Sequence, residues 1–388
     1  MFKINKGGVS VKIVVAPDSF KGAITAREIC TAVKTGVHHV FPEADVIELP
    51  LADGGEGTME TLVFASRGTF IEVVVKGPLG KPVLASIGLL SDQKTAVIEM
   101  AQASGLTLLS EDERNPLLAT TYGTGELIKH ALDRNYRKFI IGLGGSATND
   151  GGTGMLKSLG VRFFSNDGHE LAEGGEDLIN LAFIDDAGLD PRIKESSFLI
   201  ASDVTNPLCG PNGASTIFGP QKGASASDVI KLDQALLHYS KIVQKQKKMD
   251  LSQIVGGGAA GGMGAALSAF LQAEIRSGID VVMESIQFEE RIEKANLIIT
   301  GEGKLDSQTF SGKVITGVSK YAKKQQIPVI ALCGSLQLNG NQINELGINS
   351  AFSIVPGPCS LETAMASSEK WTIERTEQIM RLLKGVSF

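Results

Sequence analysis

Short β-branched runs that break at once into glycine- and aspartate-rich loops, and then into helical patterns, recur at both ends of this 388-residue chain. VKIVVA (Val11–Ala16) runs into PDSFKG and then a helix over about Thr25–His39, opened by the capping box Thr25/Glu28. VIELPL (Val46–Leu51) runs into ADGGEG ahead of a helix over Thr58–Ser66. The unit returns as LIIT (Leu297–Thr300) into GEGKLD, PVIALC (Pro328–Cys333) into GS, and FSIV (Phe352–Val355) into PGP. Alternation of strand and helix on this scale restricts the chain to an α/β fold with largely parallel sheets.

Between these ends the texture changes. Phe70–Leu90 and Ala96–Ala101 read as consecutive strands joined by a Gly-Pro turn, hence partly antiparallel. Helix Gly123–Asn135, strand Lys138–Ile141, strand Phe198–Ala201 and a long helix over about Asp228–Lys248 follow, then a glycine-rich turn into a helix within Gly256–Leu271. The expected organisation is a Rossmann-like parallel-sheet domain, residues 1–64 and 290–388, interrupted by a second, mixed-sheet α/β domain, residues 65–289.

Net charge is −6 and the sequence pI about 5.6, which argues against a nucleic-acid partner. The Lys-rich run Lys241–Lys248 continues a helical pattern and reads as its solvated face. No stretch approaches the length of a membrane span, and the N-terminal apolar run is too short for a signal peptide. Cys30, Cys209, Cys333 and Cys359 are scattered, without disulfide or zinc spacing, which suits a cytoplasmic protein. None of the five histidines lies in a glycine-rich loop, and no G-x-S-x-G elbow or G-x-x-x-x-G-K-[ST] loop occurs. Histidine-based hydrolysis, zinc chemistry and the ordinary P-loop are thereby set aside.

The strand ends carry the chemistry. In open parallel sheets, ligands sit beyond the C-terminal ends of strands, where helix N-termini present amides. There this chain gathers Asp18, Asp53, Glu56, Asp150, Asp203, Glu302 and Asp306, most of them beside glycine. Any one would serve as an ordinary cap. Together, near phosphate-binding amides, they call for a cation, and Mg²⁺ with substrate phosphates is the usual solution. Lys21, Lys222, Lys304 and Lys313 lie in the same loops, and cations among carboxylates and glycines are what phosphoryl transfer needs.

The loop GLGGSATNDGGTG (Gly142–Gly154) also spells G-x-G-x-x-A across Gly142, Gly144 and Ala147, with Asp167 about 20 residues on. A dinucleotide site requires a helix to start directly after the second glycine. Here Gly151, Gly152 and Gly154 would sit in its first turns, at roughly 1 kcal/mol each. Only a short helix reaching about Leu159 fits, and a broad phosphate nest facing a metal suits the loop better.

These blocks, APDSFKG (Ala16–Gly22), PLADGGEGT (Pro50–Thr58), GLGGSATNDGG (Gly142–Gly152), SDVTNPLCGPNGA (Ser202–Ala214), FGPQKGA (Phe218–Ala224), GAAGGMG (Gly258–Gly264) and ITGEGKLDSQTFSGK (Ile299–Lys313), resemble the signatures of the type I glycerate kinases. The match runs in order from about residue 11 to the C-terminus. The resemblance implies ATP-dependent phosphorylation of D-glycerate with Mg²⁺, in the cleft between a Rossmann-like domain and an inserted α/β domain, with 2-phosphoglycerate the favoured product.

On that footing the expected roles can be assigned. Gly144, Gly145, Ser146 and Asn149 hold ATP phosphates, with Lys222, Glu302, Asp306 and Lys313 on the nucleotide side. Asp150 and Asp203 are the expected Mg²⁺ ligands. Ser19, Gly54, Gly55 and Glu56 face glycerate. Lys21 meets its carboxylate or the moving phosphoryl group, while Asp18 or Asp53 acts as base and Asp203 joins the catalytic set. Three alternatives stay open at this point: a kinase of another small hydroxy acid or polyol, a non-catalytic small-acid sensor, and a dehydrogenase.

Overall fold

The computed structural model describes residues 11–310 and 313–385. Along the chain the strands are β1 (Lys12–Val15), β2 (Asp45–Glu48), β3 (Thr69–Lys76), β4 (Pro82–Leu89), β5 (Thr95–Glu99) and β6 (Lys138–Gly142). They continue as β7 (Arg162–Ser165), β8 (Leu181–Asp185), β9 (Ser197–Ala201), β10 (Glu274–Arg276), β11 (Leu297–Leu305), β12 (Val329–Leu336) and β13 (Ser350–Ser353).

The flanking unit holds a five-stranded sheet in the order β13-β12-β11-β1-β2, parallel throughout. Numbered within the unit this is 2-1-3-4-5, the flavodoxin-like variant of the doubly wound sheet, whose direction of winding reverses between β1 and β11. Ile13, Val15, Leu297, Ile299, Ile330 and Leu332 are buried in its core, as the β-branched runs require. Helix Ala26–His38 opens with the expected capping box: the Thr25 hydroxyl accepts from the Glu28 amide and the Glu28 carboxylate from the Thr25 amide. That helix approaches helix Ser368–Gly385 so closely that a Cβ on Gly36 would lie 2.6 Å from the Ile373 carbonyl oxygen.

The inserted unit holds a six-stranded mixed sheet, β10-β9-β6-β5-β4-β3. Strand β4 pairs antiparallel with both β3 and β5, while β5, β6, β9 and β10 pair in parallel. Phe139 and Phe198 face each other in register on β6 and β9, their rings stacked at 4.7 Å. A β7–β8 hairpin stands apart as a two-stranded sheet. The Lys-rich run lies on helix Ala226–Lys247, which buries Tyr239 and Val243 and leaves Lys241 and Lys245 exposed.

The chain passes between units at Asp53/Gly54 and at Gly278/Ile279, earlier than the crossings expected near residues 64 and 290. Packing explains the difference. Helix Thr58–Ser66 belongs to the inserted sheet, where a Cβ on Gly88 would meet Val63 at 2.6 Å and Met59 at 2.8 Å. Ile279 and Met283 instead lie against Gly317 of the flanking unit. Among the described residues no helix is long and apolar enough to cross a membrane.

Candidate active site

In the flanking unit, the chain leaving β1 keeps following β11: the Ala16 amide donates to the Ile299 carbonyl at 2.7 Å and the Asp18 amide to that of Gly301 at 2.8 Å. This brings the Asp18 loop to Glu302 at the point where winding reverses, the position at which such sheets bind ligands. A cavity of about 1190 Å³ opens there, lined by Asp18, Ser19, Lys21, Asp53, Glu302 and Asp306 among others.

Its carboxylates disturb one another. Burial, and then the charge of Asp53, raise the Asp18 carboxyl to about 6, against the opposing Ser19 amide at 2.7 Å and the nearby Lys21. Glu302 is also raised, by burial first and by the charges of Asp18 and Asp306, although it accepts from the Thr309 hydroxyl at 2.6 Å. Asp306 pairs with Lys304 at 2.6 Å. Lys21 is exposed at the mouth of its loop. Lys313 begins helix Lys313–Lys324, and its side chain lies outside the described residues. Among the described residues no three His, Cys, Asp or Glu side chains gather closely enough to hold a metal ion unaided.

In the inserted unit, the C-terminal ends of β5, β6 and β9 carry a second cluster. After β6 the loop runs beside residues 104–106: the Leu106 amide donates to the Gly145 carbonyl and the Ala147 amide to that of Ser104. The amides of Gly144, Gly145 and Ser146 have no acceptor among the described residues, and Gly145 is left-handed at φ 72. Successive free amides around a left-handed residue make a concave anion nest. Gly144 and Gly145 are exposed.

The Gly54–Gly57 loop lies against this nest. A Cβ on Gly144 would come 3.2 Å from the Gly55 Cα, and one on Gly54 would come 2.9 Å from the Ala201 carbonyl oxygen at the end of β9. Gly57, at φ 87, caps helix Thr58–Ser66 without a side-chain bond. The cap comes from Glu99 at the end of β5, whose carboxylate accepts from the Met59 amide at 2.9 Å. Burial raises the Glu99 carboxyl, and the amides of Met59, Gly57 and Thr58 pull it back. Sequence reasoning missed this residue. The signal was an acid ending a β-branched run, unaccompanied by the glycines that flagged the others.

Three of the expected ligand residues, Asp150, Asn149 and Lys222, lie buried within the fold. Asp150 is fully buried, one oxygen accepts from the Gly152 amide at 3.0 Å, and the other accepts from the Thr121 amide and hydroxyl at 2.8 Å each and from the Gly154 amide at 3.2 Å. Four donors thus meet this carboxylate, three of them on one oxygen. Asp150 ties the loop to residue 121 and to the start of helix Thr153–Ser158. Asn149 is equally buried and donates to the Ser215 hydroxyl at 3.0 Å, behind the nest. Lys222 is 1% exposed, and its ammonium donates to the Ser146 hydroxyl at 2.8 Å and the Thr148 carbonyl at 2.7 Å from within the fold.

Asp203 follows β9 and is half-buried, with one carboxylate oxygen accepting from the Gly278 amide at 3.3 Å. The GAAGGMG block braces the nest from behind. The Gly151 amide donates to the Gly261 carbonyl, and a Cβ on Gly261 would strike the Thr148 carbonyl oxygen at 2.1 Å.

Residues 13–384 match the glycerate kinase family. A glycerate kinase of Bacillus subtilis (strain 168) is 50% identical over 366 residues, covering 94% of this chain and 96% of that protein. The glycerate 2-kinase of Escherichia coli (strain K12) is 48% identical, covering 91% of this chain and 93% of that one. A crystal structure of a Salmonella typhimurium LT2 protein assigned as glycerate kinase 2 superimposes with a TM-score of 0.89 at 45% identity, over 97% of this chain and 99% of that chain. The chain belongs to the glycerate kinase family.

Proposed function

We propose that this chain transfers the γ-phosphoryl group of ATP to D-glycerate, giving 2-phosphoglycerate, with Mg²⁺ as the second cofactor. As a family member it is a phosphotransferase with an alcohol group as acceptor. The observation that supports the transfer most is the run of free amides at Gly144, Gly145 and Ser146, a cradle for anionic oxygens. The relative named as a glycerate 2-kinase supports the 2-position.

Phosphoryl transfer asks a protein for positioning and charge neutralisation. The nest holds ATP phosphates, with Ser146 adding a hydroxyl donor. Ser19 and the Gly54–Glu56 loop face glycerate, and Lys21 neutralises its carboxylate or the moving phosphoryl group. Asp18 accepts the proton of the attacking hydroxyl, since a carboxyl raised to about 6 is ionised at neutral pH yet more basic than a free one. Asp53, beside it, orients that hydroxyl.

Mg²⁺ fits the donor set, which offers hard carboxylate oxygens whose like charges raise one another. One or two carboxylates, Asp203 among them, would hold it, and substrate oxygens complete the shell, as is usual for this ion. When bound it neutralises charge on the transferring group. Steady-state kinetics of Asp203→Asn and Lys21→Ala test the assignment. Each is expected to lose well over tenfold in kcat/KM, about 1.4 kcal/mol of transition-state stabilisation or more. A variant within about threefold of wild type removes its residue from the mechanism.

A further inference from the structure

Lys222 presents a problem of its own. An ammonium withdrawn from water is costly unless something compensates it. Burial presses its pKa down to about 7, against the upward pull of Asp150. Yet its hydrogen bonds go to neutral oxygens, the Ser146 hydroxyl and the Thr148 carbonyl. Asp150 is the charged group that acts on it. The Tyr239 hydroxyl lies near Asp150 in turn, and the Arg114 guanidinium donates to the neighbouring Gln221 carbonyl at 3.5 Å. The Asp150 carboxylate accepts from four donors of its own.

The bond to Ser146 fixes more than a loop. A hydroxyl that accepts from an ammonium keeps one proton to give, and that proton is polarised by the charge behind it. The free amides of Gly144, Gly145 and Ser146 belong to the same three residues. We propose that Lys222 is a positioning residue for the nucleotide phosphate: it turns the Ser146 proton toward the anion and supplies the positive charge behind the nest, without itself touching the ligand. The inference rests on the reading that this nest takes ATP phosphates. It differs from a direct phosphate contact, because the charge acts through Ser146 and through the field.

A purely structural brace and this role part company on protons. Above pH 7 the buried lysine is largely neutral in the free protein, and an anion settling on the nest draws a proton onto it. The test is calorimetric titration of the full chain with ATP and Mg²⁺, without glycerate, in two buffers of different ionisation heat at pH 6 and pH 8. Wild type is expected to take up a proton at pH 8, approaching one per ATP, and close to none at pH 6. Lys222→Met is expected to abolish the uptake and weaken ATP at least about tenfold, as loss of a charge-assisted contact does. Ser146→Ala, which keeps the backbone amides of the nest, weakens ATP while Lys222 is still present, and supplies the second arm where Lys222→Met does not fold.

ATP that binds wild type with no proton uptake at pH 8 overturns the role of Lys222 and leaves the kinase reading standing. So does undiminished uptake in Lys222→Met, or ATP affinity within twofold of wild type in Ser146→Ala. Absence of any ATP binding to wild type sinks the phosphotransfer reading, and this inference with it.

Discussion

Replacing Asp18 by asparagine should stabilise the ligand-free protein while removing its activity. In the folded chain the Asp18 carboxyl is raised to about 6, first by burial and then by the charge of Asp53. Unfolded, it titrates near 3.9. Between about pH 4 and pH 6 the native state therefore holds a proton that the unfolded chain has released. Stability contributed by the neutral carboxyl is lost as pH rises through that window, and the full cost is present above it. A rise from 3.8 to about 6 corresponds to about 3 kcal/mol, at 1.36 kcal/mol per pH unit. Asp18 is half-buried, so solvent screening brings the figure to about 2 kcal/mol. Asparagine cannot ionise, yet it still accepts from the Ser19 amide that bonds Asp18 at 2.7 Å. Urea denaturation of both proteins from pH 4.5 to pH 8 is the assay. The stability difference in favour of Asp18→Asn should grow across that range to about 2 kcal/mol, with kcat reduced at least a hundredfold, as loss of a general base implies. A difference that stays flat with pH, or a variant less stable at pH 8, would refute the electrostatic account of this cavity.

Thr121→Val should destabilise the inserted unit by about 2–4 kcal/mol, read as a lower urea midpoint, because the hydroxyl both donates to buried Asp150 and accepts from the Met155 amide at 2.9 Å. Gly145→Ala forces an alanine to φ 72 with its Cβ 3.2 Å from that of Ala101, so ATP KM should rise more than glycerate KM in initial-rate kinetics. Glu99→Ala should cost about 1–2 kcal/mol in the same denaturation experiment by uncapping helix Thr58–Ser66. Glu99→Gln, which can still accept from the Met59 amide, should recover most of it.

Strand-and-helix alternation was legible because hydrophobic period and loop chemistry are local. The Thr25/Glu28 capping box is fixed within four residues, and it forms. The order 2-1-3-4-5 was not legible, since β1 meets β11 across more than 280 residues and no local pattern encodes that pairing. The short helix in the nest loop was foreseeable from its glycines, and it spans Thr153–Ser158.

Which polar loop residues face inward was a different matter. Asp150, Asn149 and Lys222 look like ligand-facing residues on the page. Their partners come from Thr121, Ser215 and Ser146, at separations of 29, 66 and 76 residues. Burial of a polar group is decided by such distant partners, so a glycine-rich neighbourhood alone cannot separate a group that binds ligand from one that braces the group that does. Glu99 fails the other way, because it does its work on the GGEG loop from a strand whose own ending looked unremarkable in sequence.

The central claim is the reaction and its position on the substrate. Phosphorus NMR of the product formed from D-glycerate, ATP and Mg²⁺ tests both at once. The account predicts ADP together with one new phosphomonoester, split into a doublet by the single methine proton at carbon 2. A triplet from a neighbouring CH₂ group would contradict the 2-position, and ATP left unchanged beside D-glycerate would contradict the kinase itself.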